Sequence, residues 1–400
     1  MDFTIRPFEL GDHEAVNRLC NWAWWPQRSA EGWRWLAEGP PGALDDGEIG
    51  PSGWVCESEK GVLAFVGNCV QRFAFEDRTF VGATGHTLLV DPRLRGASRD
   101  LLRRFVRQPN RFARYTFNAN DRSAPLYKHF GMHPWPEGLS AVKYVWRTDW
   151  TGVASERALR WFNGLSGHSG SRDGGERFLS DRPWTGTIGW RAPGVRQMAL
   201  NEIDDRFDRL WAELRDDGRL LAFRDAASLR WRCGDPDLSC PPVLLGYEVG
   251  GRLAGYLLAF FSKGSEIERP AMEVIDLVAL RSVEMTAVSA LLRTLLLSAR
   301  RFGAARVRLQ TVNPELDQVL APFALAKRQY RHNHCHIHWG EETDERMKQA
   351  WFATPYDGDY SFCLRPPPRP ALDGDLAQTV RMPTAREVPA AGDANWIYAP

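Results

Sequence analysis

The stretch HTLLVDPRLRGASRDLLRRFVRQPNRFARYTFNANDRSAPLYKHFGM, residues 86–132, decides how this chain is read. It opens on an apolar run that ends at Val90 and turns at Pro92. Arg93 to Ser98 follow as R-x-x-G-x-S, and helical apolar spacing begins at once. A second apolar strand ends at Asn118, and SAPLYKHFGM predicts a short helix carrying Tyr127 and stopped by Gly131. Strand, glycine turn and helix in this order suit an anion. Gly96, Ala97 and Ser98 are small enough for backbone N–H groups to approach a ligand closely. The helix N-terminus behind them adds its dipole, and Arg93, Arg95 and Arg99 add positive charge. A pyrophosphate fits such a loop better than a single carboxylate does. An ordinary strand–turn–helix closed by Gly96 would leave the same trace in sequence.

Outward from this stretch the chain repeats itself. RSAEGWRWLAEGP (28–40) and RDAASLRWRCGDP (224–236) share Arg, Ala, Arg, Trp and Pro at one constant offset. Ile5-Arg6 and Val195-Arg196 each begin a strand that leads into an amphipathic run. Glu57, Val62 and Phe65 correspond to Glu248, Leu253 and Tyr256, and each set reads as a hairpin with a glycine-containing turn. A strand follows in both halves, at Gly85–Val90 and Val274–Leu280. A helix comes next (SRDLLRRFV; TAVSALLRTLLLSARRFG), then a further strand (RYTFNAN; RVRLQTVN). An internal repeat of this length predicts two copies of one domain. The expected boundaries are 1–148 for the first domain, 149–192 for a linker, 193–364 for the second domain and 365–400 for a Pro-rich, unstructured tail. NGLSGHSGSRDGGE (163–176) is Gly/Ser-rich, as a flexible connector should be.

The series over residues 86–132 resembles the GNAT family, the Gcn5-related N-acyltransferases. The family pattern V-x-P-x-x-R-G-x-small is matched by Val90, Pro92, Arg95, Gly96 and Ser98. Its second pattern is matched from Asn118 through Tyr127 to Gly131-Met132. The resemblance covers roughly the first 145 residues, since IRPFELGD also looks like the family's first strand. Ser98 departs from the family's Gly or Ala, and its Cβ narrows the space beside a pyrophosphate.

The resemblance implies an α/β fold: two tandem GNAT folds, each a mixed, mostly antiparallel sheet flanked by helices. It implies acetyl-CoA, or another acyl-CoA, as co-substrate in a gap between splayed strands. The strand ending at Val90 would pair with the pantetheine arm, and Arg95, Gly96, Ala97, Ser98 and Arg99 would hold the pyrophosphate. Asn118 would contact the cofactor from the second strand. Tyr127 takes the place of the general acid that protonates the departing thiolate. His86, four residues before Val90, is the candidate base, on one strand face with Leu88 and Val90.

The second half keeps the fold signal and loses the loop. Arg281-Ser282-Val283-Glu284-Met285 stands where the phosphate cradle would be, and Glu284 would repel a phosphate. This half also looks like a subset of tandem GNAT-like proteins from bacterial polysaccharide and natural-product gene sets. It shares with them R-D-A-x-x-L-x-W-R, a strand Asp at Asp276, and a closing W-F-x-T-x-x-D-x-D from Trp351 to Asp359. Asp276 reads either as an alternative base or as a buried, capped carboxylate. In RHNHCHIHWG, His332, His334, His336 and His338 would share one face of a strand, but no metal is expected there.

The bulk numbers set limits. The 400 residues are 44% hydrophobic and 25% charged, enough for two cores. A net charge of +1 offers no overall field for nucleic acid or acidic membranes. No stretch nears the roughly 18 uninterrupted apolar residues of a membrane span, and the N-terminus has no signal-peptide h-region. Seven scattered cysteines with no CxxC suit a reducing cytoplasm. The expected function is transfer of an acetyl or other short acyl group to a primary amine. The amine would belong to a small metabolite, an amino sugar or a biosynthetic intermediate. The protein is expected to be a monomer or homodimer without nucleic acid. The rivals are an aminoacyl-tRNA-dependent transferase with tandem GNAT folds and a non-catalytic scaffold or sensor.

Overall fold

The structure is a computed structural model that describes residues 2–23, 25–42, 50–94, 96–165, 187–264, 268–365 and 367. The first half runs β1 (Thr4–Pro7), α1 (His13–Trp22), α2 (Ala30–Glu38), β2 (Gly53–Ser58), β3 (Gly61–Phe75) and β4 (Arg78–Val90). It continues with α3 (Ala97–Val106), β5 (Ala113–Thr116), α4 (Ala124–His129), β6 (His133–Pro134) and β7 (Val142–Arg147). After α5 (Trp150–Leu165), the second half gives β8 (Val195–Met198), α6 (Asp205–Asp216), β9 (Leu221–Ala222), α7 (Ala226–Cys233), β10 (Val243–Val249) and β11 (Arg252–Ser262). It ends with β12 (Ala271–Ala279), α8 (Glu284–Ser298), β13 (Arg306–Leu309), α9 (Pro314–Val319), β14 (Lys327–Gln329), β15 (His336–Trp339) and α10 (Glu345–Ala350).

The repeated sequence elements fold into repeated structure. Helix-capping Ser29 and Asp225 each follow the repeated Arg, and accept the N–H of Gly32 and Ser228. Arg6 donates to Asp12 and Glu57; its counterpart Arg196 donates to Glu202 and Glu248. Both hairpins form where glycines allow the turn, and α6 buries Phe207, Leu210, Trp211 and Leu214 on one face as helical spacing demands.

Strand pairing crosses the expected boundary at residue 148. The first sheet has the order β1-β2-β3-β4-β5-β15-β6, with β9 added beside β3. The second has the order β8-β10-β11-β12-β13-β7-β14. Each half therefore lends one strand to the other: β7 lies between β13 and β14, and β15 lies between β5 and β6. The open edge of β5 leaves backbone N–H and C=O groups that must be paired, and the strand that pairs them comes from the far end of the chain. Helix α5 occupies the start of the expected linker. The Gly/Ser-rich residues 166–186 and the tail from 368 lie outside the described residues. Trp351, 2% exposed, packs against Phe73, Phe112, Tyr115 and Trp135, so one core runs through both halves.

Candidate functional site

Strands β4 and β5 are parallel and pair only from Gly82↔Ala113 to Thr84↔Tyr115. Beyond that point they separate. Gly85–Val90 and Thr116–Asn120 become the walls of a cleft of about 690 Å³, closed at its sides by Trp22 at the end of α1, Ala23 and Trp25 just after it, the start of α3, and α4.

The wall from β4 carries a bulge. Phe65 pairs with Leu89 and Gly67 with His86, so Thr87 and Leu88 together face Val66. Thr87 has φ of 53°, an outlier for a β-branched residue. Its hydroxyl accepts from Trp25 Nε1 at 3.3 Å and meets His86 Nδ1 at 3.1 Å. Strain of this kind persists only where surrounding contacts hold it. The bulge also corrects the strand-face expectation. His86 shares its face with Phe65 and Leu89 and lies near Phe362, while Leu88 and Val90 turn toward the α3 side. Gly67 opposes His86, and a Cβ there would fall inside the imidazole. Burial, then the charge of Arg28, pushes His86 down to about 3, so it is neutral at physiological pH.

At the mouth, Gly96 has φ of 88° and starts α3, whose first turn has no side-chain cap. Ala97 is buried; Val90, Gly96, Ser98 and Arg99 line the cleft. Arg93 is turned away, donating to Asp91 at 2.6 and 2.8 Å. Arg95 lies outside the described residues.

From the other wall, Tyr127 is 7% exposed, with its hydroxyl in reach of Thr116 and Ser123 and its ring 5.6 Å from that of His336. Burial raises its phenol, which therefore stays protonated. Asn118 lines the cleft, its Oδ1 accepting from Gln310 Nε2 of the second half at 3.2 Å. Asn120 holds the turn before α4, accepting the N–H groups of Arg122 and Ser123 at 3.0 Å.

Sequence reasoning missed Asp359 as a site residue. It lines the same cleft at 3% exposure and accepts the N–H of Phe117 at 2.7 Å. The closing D-x-D signal was visible, but only as part of the second half. Thr87, Trp25 and Gln310 gave no sequence signal.

The matching opening of the second half is filled by its own chain. Strands β12 and β13 pair only from Ala271↔Arg306 to Glu273↔Arg308. Residues 351–357 then bridge them: Thr354 Oγ1 donates to Asp276 at 2.7 Å, and Asn313 Nδ2 to Ala353 O at 3.0 Å. Asp276 is fully buried and held by Arg224, Tyr256 and Thr354, so it is the capped carboxylate and no base in an open cleft. Glu284, at the start of α8, is paired with buried Arg219. Of the four alternating histidines, only His336 and His338 lie on β15. His332 meets Asp121, and His334 bonds Gln310 O. Among the described residues, no three His, Cys, Asp or Glu side chains converge as metal ligands.

No family model matches the chain, and no curated protein does. Among solved structures, the N-myristoyltransferase of Saccharomyces cerevisiae with bound myristoyl-CoA is similar at TM-score 0.51 and 10% identity, over 88% of this chain and 84% of that one. A probable N-acyltransferase from Enterococcus faecalis is similar at TM-score 0.49 and 12% identity, over 85% and 72%. A GCN5-related N-acetyltransferase from Anabaena variabilis gives 0.49 and 11%, over 84% and 72%. The chain thus shares with the myristoyltransferase an α/β fold, here with two mixed, mostly antiparallel sheets flanked by helices.

Proposed function

We infer that the protein is an N-acyltransferase that moves an acetyl or other short acyl group from acyl-CoA to a primary amine of a small molecule. One observation carries this reading: the cleft between β4 and β5 runs from an uncapped helix N-terminus to Tyr127. The N–H groups of Gly96, Ala97 and Ser98, at the start of α3, suit a pyrophosphate. The edge of β4 from Gly85 to Val90 has no strand partner on the β5 side among the described residues, and suits an amide-bearing arm. Tyr127 holds a proton to give the leaving thiolate. His86, neutral and packed on Gly67, serves as a hydrogen-bond partner that helps fix the bulge.

The tRNA-dependent rival needs an exposed basic surface. Of the arginines in this region, Arg111 and Arg114 are buried and Arg103 is paired with Asp100, which leaves Arg99, Arg104 and Arg107 as its exposed charges. Six of the seven cysteines are buried thiols, which supports a cytoplasmic location. Among the described residues no helix is long and apolar enough to cross a membrane.

Calorimetry with acetyl-CoA and CoA tests the reading. Micromolar binding, weakened tenfold or more by Arg99→Glu, is the expected result. No binding of either ligand to the wild-type protein sinks it.

A further inference from the structure

The closing segment of the second half enters the cleft of the first. Its sequence, WFATPYDGDY (351–360), spends three polar side chains on holding itself in place. Trp351 Nε1 donates to Asp357 Oδ2 at 3.0 Å, Arg224 donates to Asp357 Oδ1 at 3.0 Å, and Thr354 bonds Asp276. Gly358 then passes directly over Phe117, where a Cβ would meet the ring. The next residue, Asp359, stands in the cleft with Tyr127, Thr116 and His86.

We propose that Asp359 is the proton acceptor of the first-half cleft, delivered there by the second half. This rests on the acyl-transfer reading. Three observations carry it. Asp359 is the carboxylate that lines the inner cleft, and Asp91, the other lining carboxylate, is paired with Arg93 at the mouth. Its Oδ1 is anchored by Phe117 N–H, a donor freed where β5 leaves β4. The groups facing it are neutral: Thr116, Tyr127, Cys363, Tyr115, Cys69 and Cys335. With no cation among the described residues paired to it, burial pushes Asp359 up to about 7, a value suited to exchanging a proton at neutral pH. His86, at about 3, would hold a proton too weakly.

The protons balance. An acceptor arriving as an ammonium gives one proton to the Asp359 carboxylate, which passes it to solvent. The amine nitrogen forms its bond to the thioester carbonyl carbon, and the C–S bond breaks. Tyr127 protonates the sulfur and recovers its proton from the nitrogen, leaving amide and free thiol. A carboxylate in this place also selects for cationic amines over alcohols.

The test has two arms. In the first, thiol release from acetyl-CoA is followed against pH with 2-phenylethylamine and with glucosamine as probe acceptors. Asp359→Asn should lower kcat/KM by about 100-fold or more and abolish the limb near pH 7, with acetyl-CoA affinity within about threefold of wild type. Asp359→Glu should restore part of the rate, and His86→Gln should keep the limb. A limb that survives in Asp359→Asn overturns the proposal. The second arm needs no acceptor. Dicyclohexylcarbodiimide should label Asp359 below pH 7, and acetyl-CoA should protect it. Absence of labelling, or labelling indifferent to acetyl-CoA, would make Asp359 a sealed structural group. Loss of acetyl-CoA binding by the wild-type protein refutes the acyl-CoA reading instead, so the two failures are separable.

Discussion

Trp35 and Trp231 stack face to face across the junction of the two halves, with ring centroids 4.3 Å apart and planes inclined by 13°. They are the same residue of the repeated element, so the two copies meet at their own equivalent positions. Trp35 Nε1 also donates to Trp231 O at 3.2 Å, and Phe362 lies edge-on to both rings. The element R-x-A-x-x-x-R-W therefore recurs because it builds the seam.

Removing one ring should cost more than an isolated surface tryptophan would. Both rings are half-buried, so Trp231→Ala should destabilise by about 2 kcal/mol, less than the roughly 3–5 kcal/mol of a full core site. A double-mutant cycle with Trp35→Ala, read by urea unfolding, should show coupling of about 1 kcal/mol. Additive losses would mean that the stack contributes nothing of its own.

Gly67→Ala tests the seat of His86. The new methyl cannot fit beside the imidazole, and the bulge at Thr87 depends on that ring. Overpacking here should cost about 1–3 kcal/mol, read as a lower Tm. It should slow transfer more than it weakens acetyl-CoA binding, because Gly96 to Arg99 are untouched. Equal loss of both would place His86 in cofactor binding.

How far the sequence reached follows the range of the forces involved. The hairpins, α3, α4 and the uncapped loop at Gly96 were legible, because glycine punctuation and apolar spacing act over a few residues. The bulge at Thr87 was not, since alternation through His86, Leu88 and Val90 looks unbroken until the partner strand fixes the register. The exchange of β7 and β15 was also hidden: each strand has ordinary alternation and nothing local names its partner. Asp359 was read with the half that carries it in sequence, although it serves the half that it touches.

Asp359 should also leave a signature in stability. Its folded-state value near 7 lies above the usual 3.8. The native state therefore binds a proton more tightly than the unfolded chain does, and stability from this group falls as pH rises from about 4 to 7. Asp359→Asn lacks that loss. A tenfold difference in proton affinity between the two states is worth about 1.4 kcal/mol. Relative to wild type, the variant should therefore gain roughly 3 kcal/mol between about pH 5 and about pH 8. Urea titrations at the two pH values measure it. A constant difference would mean that the carboxyl titrates normally and is open to water.

The strand exchange makes the halves one folding unit, and this can be checked by cutting the chain. A fragment of residues 1–165 retains β5 and β6 but lacks β15, so both edges would stand unpaired. It also keeps β7, whose buried Val142, Tyr144 and Trp146 would have no second sheet to cover them. Such a fragment should aggregate when made alone. A protease site placed within residues 166–186 of the intact protein should behave differently. After cleavage the two pieces should elute together from a sizing column and unfold in one transition, because each holds an interior strand of the other's sheet. Separation of the pieces into two soluble, independently melting domains would show that residue 148 is a true boundary and that the exchanged strands add little to either sheet.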